Sequence, residues 1–589
     1  MEPPPANAST VDTVDSAAEE RGKQLISLDD DGPVVTKKEL ISYWLYINGD
    51  SGNGPVYYSS TIFQSLASAA GYDSTYGPDT PCDSYNSDTC VVPWGGGTKV
   101  VSSVVLLSNG LTFMFLTIIF TTLGSAADYG NVGRWLLLGL TIICWAAQYA
   151  SVALVAPDSW KWAMALYMIS CISYGATLIF YIANFPRLAR NTPQTRELRE
   201  KYEKGEIKFE EYEVEESLER NRISNWVTIN NNIGIFACYV LNLAVLLPLA
   251  DNERVDNYVL VLCNSYWVLT GIWWFVFQQP RPGPPVPKGS NGFTIGLKQV
   301  WQAIRQFRQL PNTFIYLVAF FLLADGINTT ISLVLIVQND KYQFSFLQNT
   351  YLGMVQGASS VVACVACLYI QRYFKISAKR MLGFTNVASV LIPLWGMIGI
   401  WTTKFGLHNS WEFWAVNVAF GLFQAPYYAF SQTVMAELCP PGYDNMFFGL
   451  FGFSNVASSA IGPTVIQEII EATGSNWYGF PFLFGLCLVS TLVIWVFVDV
   501  KKGKRDAVKW AEARRAEGRQ SDDATSPGAG DDSATVSTEA PEKERPSVLD
   551  TKGSSAANTS STSPSTPNEK STAPTIPIPT PATTTTTIS

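Results

Sequence analysis

Long apolar runs separated by short polar stretches dominate the chain. They lie at about 100–123, 133–156, 160–185, 225–250 and 256–278, and again at 313–337, 346–370, 381–402, 411–437, 446–467 and 479–500. Each is long enough to cross the roughly 30 Å hydrocarbon core of a bilayer as a helix. A further run at about 39–68 is interrupted by Asn48, Gly49, Asp50, Ser51, Gly52, Asn53, Gly54 and Pro55, which predicts a broken helix. Non-helical backbone at membrane depth persists only where protein or a water-filled cavity satisfies it, and discontinuous helices often carry a transporter's binding site. A loop at the membrane edge is the plainer reading of the same residues. With this run the pattern predicts about twelve spans, six on each side of residues 279–311.

The polar segments complete the plan. Residues 1–36 have no basic-then-apolar opening, so no cleavable signal is expected, and their composition predicts a disordered N-terminus. Residues 71–99 are turn-rich and acidic and carry Cys82 and Cys90. Facing an oxidising compartment, these two predict a small disulfide staple. Residues 187–224 mix acid and base, as a solvated helical loop does. The segment 279–311 opens with Pro and Gly and continues with Leu297, Trp301, Ile304 and Phe307 set against Lys298, Arg305 and Arg308. It predicts a linker with an interfacial amphipathic helix. Beyond Val500 the chain turns basic and then rich in Ser, Thr and Pro, and residues 501–589 are expected to be a disordered tail.

Lys and Arg collect on the cytosolic side of short loops. The linker and residues 371–380 are basic without acids, whereas Asp251, Glu253 and Asp256, and Glu468 and Glu471, lie in the opposite loops. Both termini are therefore expected in the cytosol, with a first half at 39–278 and a second at 312–500. Composition agrees: 47% of the 589 residues are apolar and 15% charged. One His and ten mostly solitary Cys offer no spaced metal cluster and no His-based triad, which argues against a metalloenzyme or a hydrolase. No cofactor and no nucleic-acid partner is expected, and a monomer is.

Within the run 313–337 stands Asp325. An ionised carboxylate at bilayer depth costs at least ~2.5 kcal/mol, so it faces a polar cavity, serves transport, or ties helices together. Asp50 beside Gly49 in the first run and Asp325 beside Gly326 in the seventh suggest a matched pair, with Asn53, Asn328 and Thr329 as polar neighbours. Gln356, Asn417, Gln424 and Tyr427 are further candidates for a substrate or proton path. Gln148 and Asn264 join Asn109 and Asn455 as other polar groups that line a path or bond between helices.

Two groups of six helices around a basic linker is the plan of the major facilitator superfamily, an all-α membrane bundle with its substrate site between the halves. After the second run, Gly124, Asp128, Gly133 and Arg134 resemble that superfamily's loop signature, which takes part in conformational switching. Gly133 and Arg134 fall two residues later than the signature has them. A closer resemblance rests on residues 44–46, Cys90 to Trp94, the loop 124–134, Asp-Gly-Ile-Asn-Thr at 325–329 and residues 447–463 with Ser-Ser-Ala-Ile-Gly-Pro at their end. Together these resemble the fungal vacuole effluxer family over roughly residues 39–500, with a first span longer and richer in Gly than the family pattern. The resemblance implies a multi-pass vacuole-membrane exporter of neutral amino acids, leucine, isoleucine and tyrosine in particular, after autophagic proteolysis. Protons are the candidate coupling partner. A plasma-membrane transporter of the same fold and a membrane nutrient sensor are the competing readings.

Overall fold

The first expected span is three pieces. Thr36 accepts the Glu39 amide and starts α1, Lys37–Gly49. Gly52 adopts a left-handed φ of 74°, and a π-helical turn, Asn53–Tyr58, leads into α2, Ser59–Ala70. Glycine reaches that φ without the Cβ clash that other residues suffer. A three-stranded antiparallel sheet follows, made of β1 (Tyr72–Asp73), β2 (Cys90–Trp94) and β3 (Gly97–Val100). The expected staple joins Cys82 to Cys90 beside it, with a Cα separation of 5.2 Å.

A computed structural model of the protein describes residues 32–525, apart from 75, 83–89, 250, 251, 253, 284–297, 299, 302–304, 343, 345, 459 and 460. The expected N-terminal disorder, most of the amphipathic linker helix and the tail from Ser526 lie outside the described residues. The first half continues with α3 (Val101–Ala126), α4 (Val132–Ser151), α5 (Trp160–Ile182), α6 (Phe185–Arg190), α7 (Pro193–Glu203), α8 (Phe209–Leu246) and α9 (Val255–Phe277). The loop 187–224, expected to be solvated, is α6, α7 and a long N-terminal extension of α8, and it buries Leu188, Thr192, Tyr212, Glu216 and Arg220 against the bundle. The second half holds α10 (Pro311–Tyr342), α11 (Phe346–Phe374), α12 (Ala378–Ile398), α13 (Ser410–Leu438), α14 (Asp444–Ser458), α15 (Ile461–Thr473) and α16 (Gly479–Phe497).

Among the described residues nine helices are long and apolar enough to cross a membrane. The first expected span is split, the eleventh is described as α14 and α15 on either side of residues 459 and 460, and the tenth, α13, is a continuous 29-residue helix outside that set of nine. Residues 501–525 differ from expectation. They form α17, Val500–Thr525, which buries Ala507, Val508, Trp510 and Ala511 and so is not disordered.

The halves meet through α3 on α14 and through α8 on α11 and α13. The largest apolar cluster draws Tyr46, Phe120 and Phe185 from the first half, Phe320, Val434 and Phe447 from the second, and Trp510 from α17. Of four other clusters, those around Phe413 and Phe480, Phe63 and Trp160, and Tyr58 and Val259 each stay within one half, and a small one joins Ile229 of the first to Cys364 and Ala425 of the second. Apolar burial therefore welds the halves mainly at the end that carries α6, the start of α14 and α17.

Candidate functional site

The break in the first span is built by close approach. Gly234 of α8 faces Asn48 so tightly that a Cβ there would lie 1.7 Å from the Asn48 carbonyl oxygen. Gly49 sits against Trp267 and Thr270 of α9 in the same way. The Asn48 amide donates to the Asn230 carbonyl at 2.8 Å and its oxygen accepts from the Tyr266 hydroxyl. These contacts leave the next residue, Asp50, 1% exposed with neither carboxylate oxygen hydrogen-bonded.

Around Asp50 stand Tyr46, Cys144, Tyr174 and Tyr181, all from the first half. Gln148 presses on the π-helical turn, where a Cβ on Gly54 would lie 2.3 Å from its Oε1, and that oxygen has no partner. The Asn53 amide, the Trp145 and Trp267 indole N–H groups and the Asn264 oxygen are also buried without partners. Unpaired buried polar groups cost about 1–3 kcal/mol each and are rare away from function. This buried cluster offers a carboxylate and amide oxygens as acceptors beside N–H donors, a set that suits a proton or the ammonium and carboxylate ends of a zwitterion.

Asp325 is placed differently. Its Oδ1 accepts the Gly462 amide at 2.9 Å and the Thr329 hydroxyl at 3.4 Å, while Oδ2 has no partner. It thereby holds the first turn of α15, a structural task already half satisfied. Every neighbour of Asp50 named above belongs to the first half, and these neighbours of Asp325 belong to the second. Asp50 and Asp325 thus each sit among neighbours of their own half. Asn328 accepts from the Tyr428 hydroxyl at 3.3 Å, and Gln424 bonds that tyrosine too. Asn417 bonds back to Phe413 of its own helix, and the carbonyl of Gln356 accepts from Ser359 and Ser360. Tyr427 is fully buried against Phe320 with an unpaired hydroxyl.

The loop 124–134 reaches across between halves. Asp128 accepts from the Asn445 amide at 2.8 Å, the Met446 amide at 2.9 Å and the Asn445 side chain at 2.9 Å, so a carboxylate of the first half caps α14 of the second. Gly124 and Gly133 allow this approach, packing within reach of Asn445. The basic arm is not Arg134, which donates to the Phe275 carbonyl. Arg187 takes that role, bridging Asp128 and Asp444 at 3.3 Å each, and Arg190 meets Asp444 at 2.9 Å. The shift of Gly133 and Arg134 along the loop explains the change. The Arg-Leu-Ala-Arg spacing at 187–190, which puts both cations on one side of a turn, was the overlooked signal. Burial pushes the Asp128 carboxyl up to about 7; Arg187 and the two amides oppose the rise and Asp444 adds to it.

Three comparisons bear on this arrangement. Residues 35–508 match the family model described as vacuole effluxer Atg22 like. Autophagy-related protein 22 of Cryptococcus neoformans var. neoformans serotype D (strain B-3501A) is 32% identical over 267 residues, 42% of this chain; the chain spans about half, 48%, of that relative's length. The Pichia angusta protein of the same name is 24% identical over 72% of this chain and 80% of its own. Among solved structures, the proton:xylose symporter XylE superposes with a TM-score of 0.53 at 12% identity, covering 84% of this chain and 99% of its own. The human organic anion transporter MFSD10 gives 0.51 at 13%, covering 78% and 100%. Those two likenesses establish the fold as that of the major facilitator superfamily. The family match over most of its length gives one conclusion: this chain belongs to the vacuole effluxer Atg22-like family.

Proposed function

We propose that the protein exports neutral amino acids from the vacuole lumen to the cytosol by alternating access, with Asp50 carrying the coupling proton or holding the substrate ammonium group. The buried, unpartnered Asp50 carboxylate at the break of the first span carries this reading. Such a group is stable only if protonated or paired with a passing cation, and both are steps in a transport cycle.

The welded end is the cytosolic one on this reading, because the basic stretch 371–380 and the linker cations lie there, as the charge rule requires. The arrangement is then lumen-facing, with both termini in the cytosol and the Cys82–Cys90 staple in the lumen. The vacuolar membrane and the class leucine, isoleucine and tyrosine come from the family's character as vacuole effluxers and from the motif resemblance.

The test compares neutral amino-acid pools in vacuoles isolated with and without the protein, and with Asp50→Asn at equal abundance. Loss of the protein should raise the lumenal pools, and Asp50→Asn should match the loss and abolish the dependence of efflux on lumenal pH. Unchanged pools sink the substrate assignment, and an Asp50→Asn protein with normal, pH-dependent efflux sinks the role of Asp50.

A further inference from the structure

The helix α17 does not leave the bundle. Its apolar positions Gly503, Ala507, Val508, Trp510 and Ala511 share one helical face, and all are buried. The opposite face carries the exposed Lys501, Lys502, Arg505 and Lys509.

Each buried position has a definite seat. Gly503 fits between Leu438 of α13 and Asn312 of α10 so closely that a Cβ would lie 2.3 Å from Leu438 Cδ2. Asn312 Oδ1 also accepts the Asp499 amide just before the helix, at 2.9 Å. Trp510 donates its indole N–H to Gln306 Oε1 in the linker at 2.8 Å. Its ring stands edge-on to Tyr443 and Phe447, with centroids 4.9 and 6.0 Å away. Those two rings flank Asp444 and Asn445, the residues that Arg187, Arg190 and Asp128 hold from the first half.

Lys504 completes the crossing. Its ammonium, largely buried, pairs with Glu216 at 3.2 Å and Glu213 at 3.6 Å, both on α8 of the first half. A single helix, continuous with the second half through α16, therefore grips the linker, α10, α13, α14 and the first half together. Separating the halves at this end must break both Lys504 pairs, leaving Glu216 only its Arg220 partner within α8, and that loss opposes opening.

We infer that α17 is a strap: Lys504 and Trp510 clamp it across the closed end, and that end opens only after the strap lets go. Residues 500–525 thus set the rate of the conformational exchange. As a control of transport this rests on the alternating-access reading, but the opening itself can be read without any substrate.

The experiment is amide hydrogen exchange on the full chain in lipid nanodiscs, comparing wild type with Lys504→Met, Gln306→Ala and the double variant Lys504→Met/Trp510→Phe. Lys509→Ala, on the exposed face, is the control. Lys504→Met removes the two ion pairs and Gln306→Ala the one indole hydrogen bond, and both keep the apolar face, so they report even where the double variant folds poorly. The strap requires exchange in 124–133 and 439–449 to rise tenfold or more in the clamp variants, with no rise in 90–100 or 404–412 at the other end and none in Lys509→Ala. Unchanged exchange at the closed end, or an equal rise at both ends, overturns it. Faster closed-end exchange without amino-acid flux in any form, wild type included, keeps the strap and removes the transport reading alone.

Discussion

Asp50 and Asp325 look alike in the sequence, each an acid beside glycine in an apolar run, yet their surroundings assign them different work. Asp325 meets its main donor, the Gly462 amide, 137 residues away, and no local pattern announces that contact. Asp50 meets none, and both its carboxylate oxygens stay without a hydrogen-bond partner. Stability should separate the two. Asp325→Ala removes the hold on the first turn of α15 and should cost about 1–2 kcal/mol, visible as a lower midpoint of thermal unfolding, while Asp325→Asn keeps an acceptor and should cost less than about 0.5 kcal/mol. Asp50→Asn should leave that midpoint level or raise it, since a neutral amide is easier to bury than an unpaired carboxylate. A midpoint lowered more by Asp50→Asn than by Asp325→Ala would reverse the assignment.

Elements were legible where composition changes abruptly. The run Asn-Gly-Asp-Ser-Gly-Asn-Gly-Pro at 48–55 predicted the broken first span, and the structure places a left-handed Gly52 and a π-helical turn there. The facing element was not legible, because Gly234 sits in an ordinary helical stretch of α8. Gly234→Ala should be destabilising by about 1–3 kcal/mol, because the added methyl meets Asn48 backbone that cannot rotate away. Gly485→Ala on α16, where a Cβ meets nothing within 4 Å, should be neutral or stabilising by up to about 1 kcal/mol. Equal unfolding midpoints for the two variants would rule out the tight crossing of α1 and α8. In α17 the apolar positions were present at helical spacing, but the Ser, Thr and Pro of the following stretch masked them.

At the scale of the whole molecule, the halves are held at one end by apolar burial and by a network in which Asp128, Arg187, Arg190 and Asp444 alternate in charge. Its pH dependence follows from Asp128. Closure buries the carboxyl and raises it to about 7, whereas opening to water returns it towards the ordinary value near 4. The closed form thus holds the proton more tightly. Its Asp128 contribution is complete below about pH 4 and is lost as pH climbs through about 7, so alkalinity on that side favours opening. Exchange in 439–449, corrected for the intrinsic rate, should show the open population growing by up to about tenfold per pH unit between about pH 4 and 7 and levelling off above, and Asp128→Asn should flatten the slope. An identical slope in that variant would refute the linkage. The chain's sequence by itself determined that this is a membrane bundle, where most of its spans run, that the first is broken, and that Cys82 pairs with Cys90, because hydropathy, helix-breaking residues and short-range spacing are local properties. Only the tertiary structure decided which acid is left unpaired, that Arg187 rather than Arg134 serves the loop 124–134, and that α17 belongs to the closed end. Those depend on contacts between residues far apart in the chain, where a carboxylate's role is set by the donors that packing brings to it.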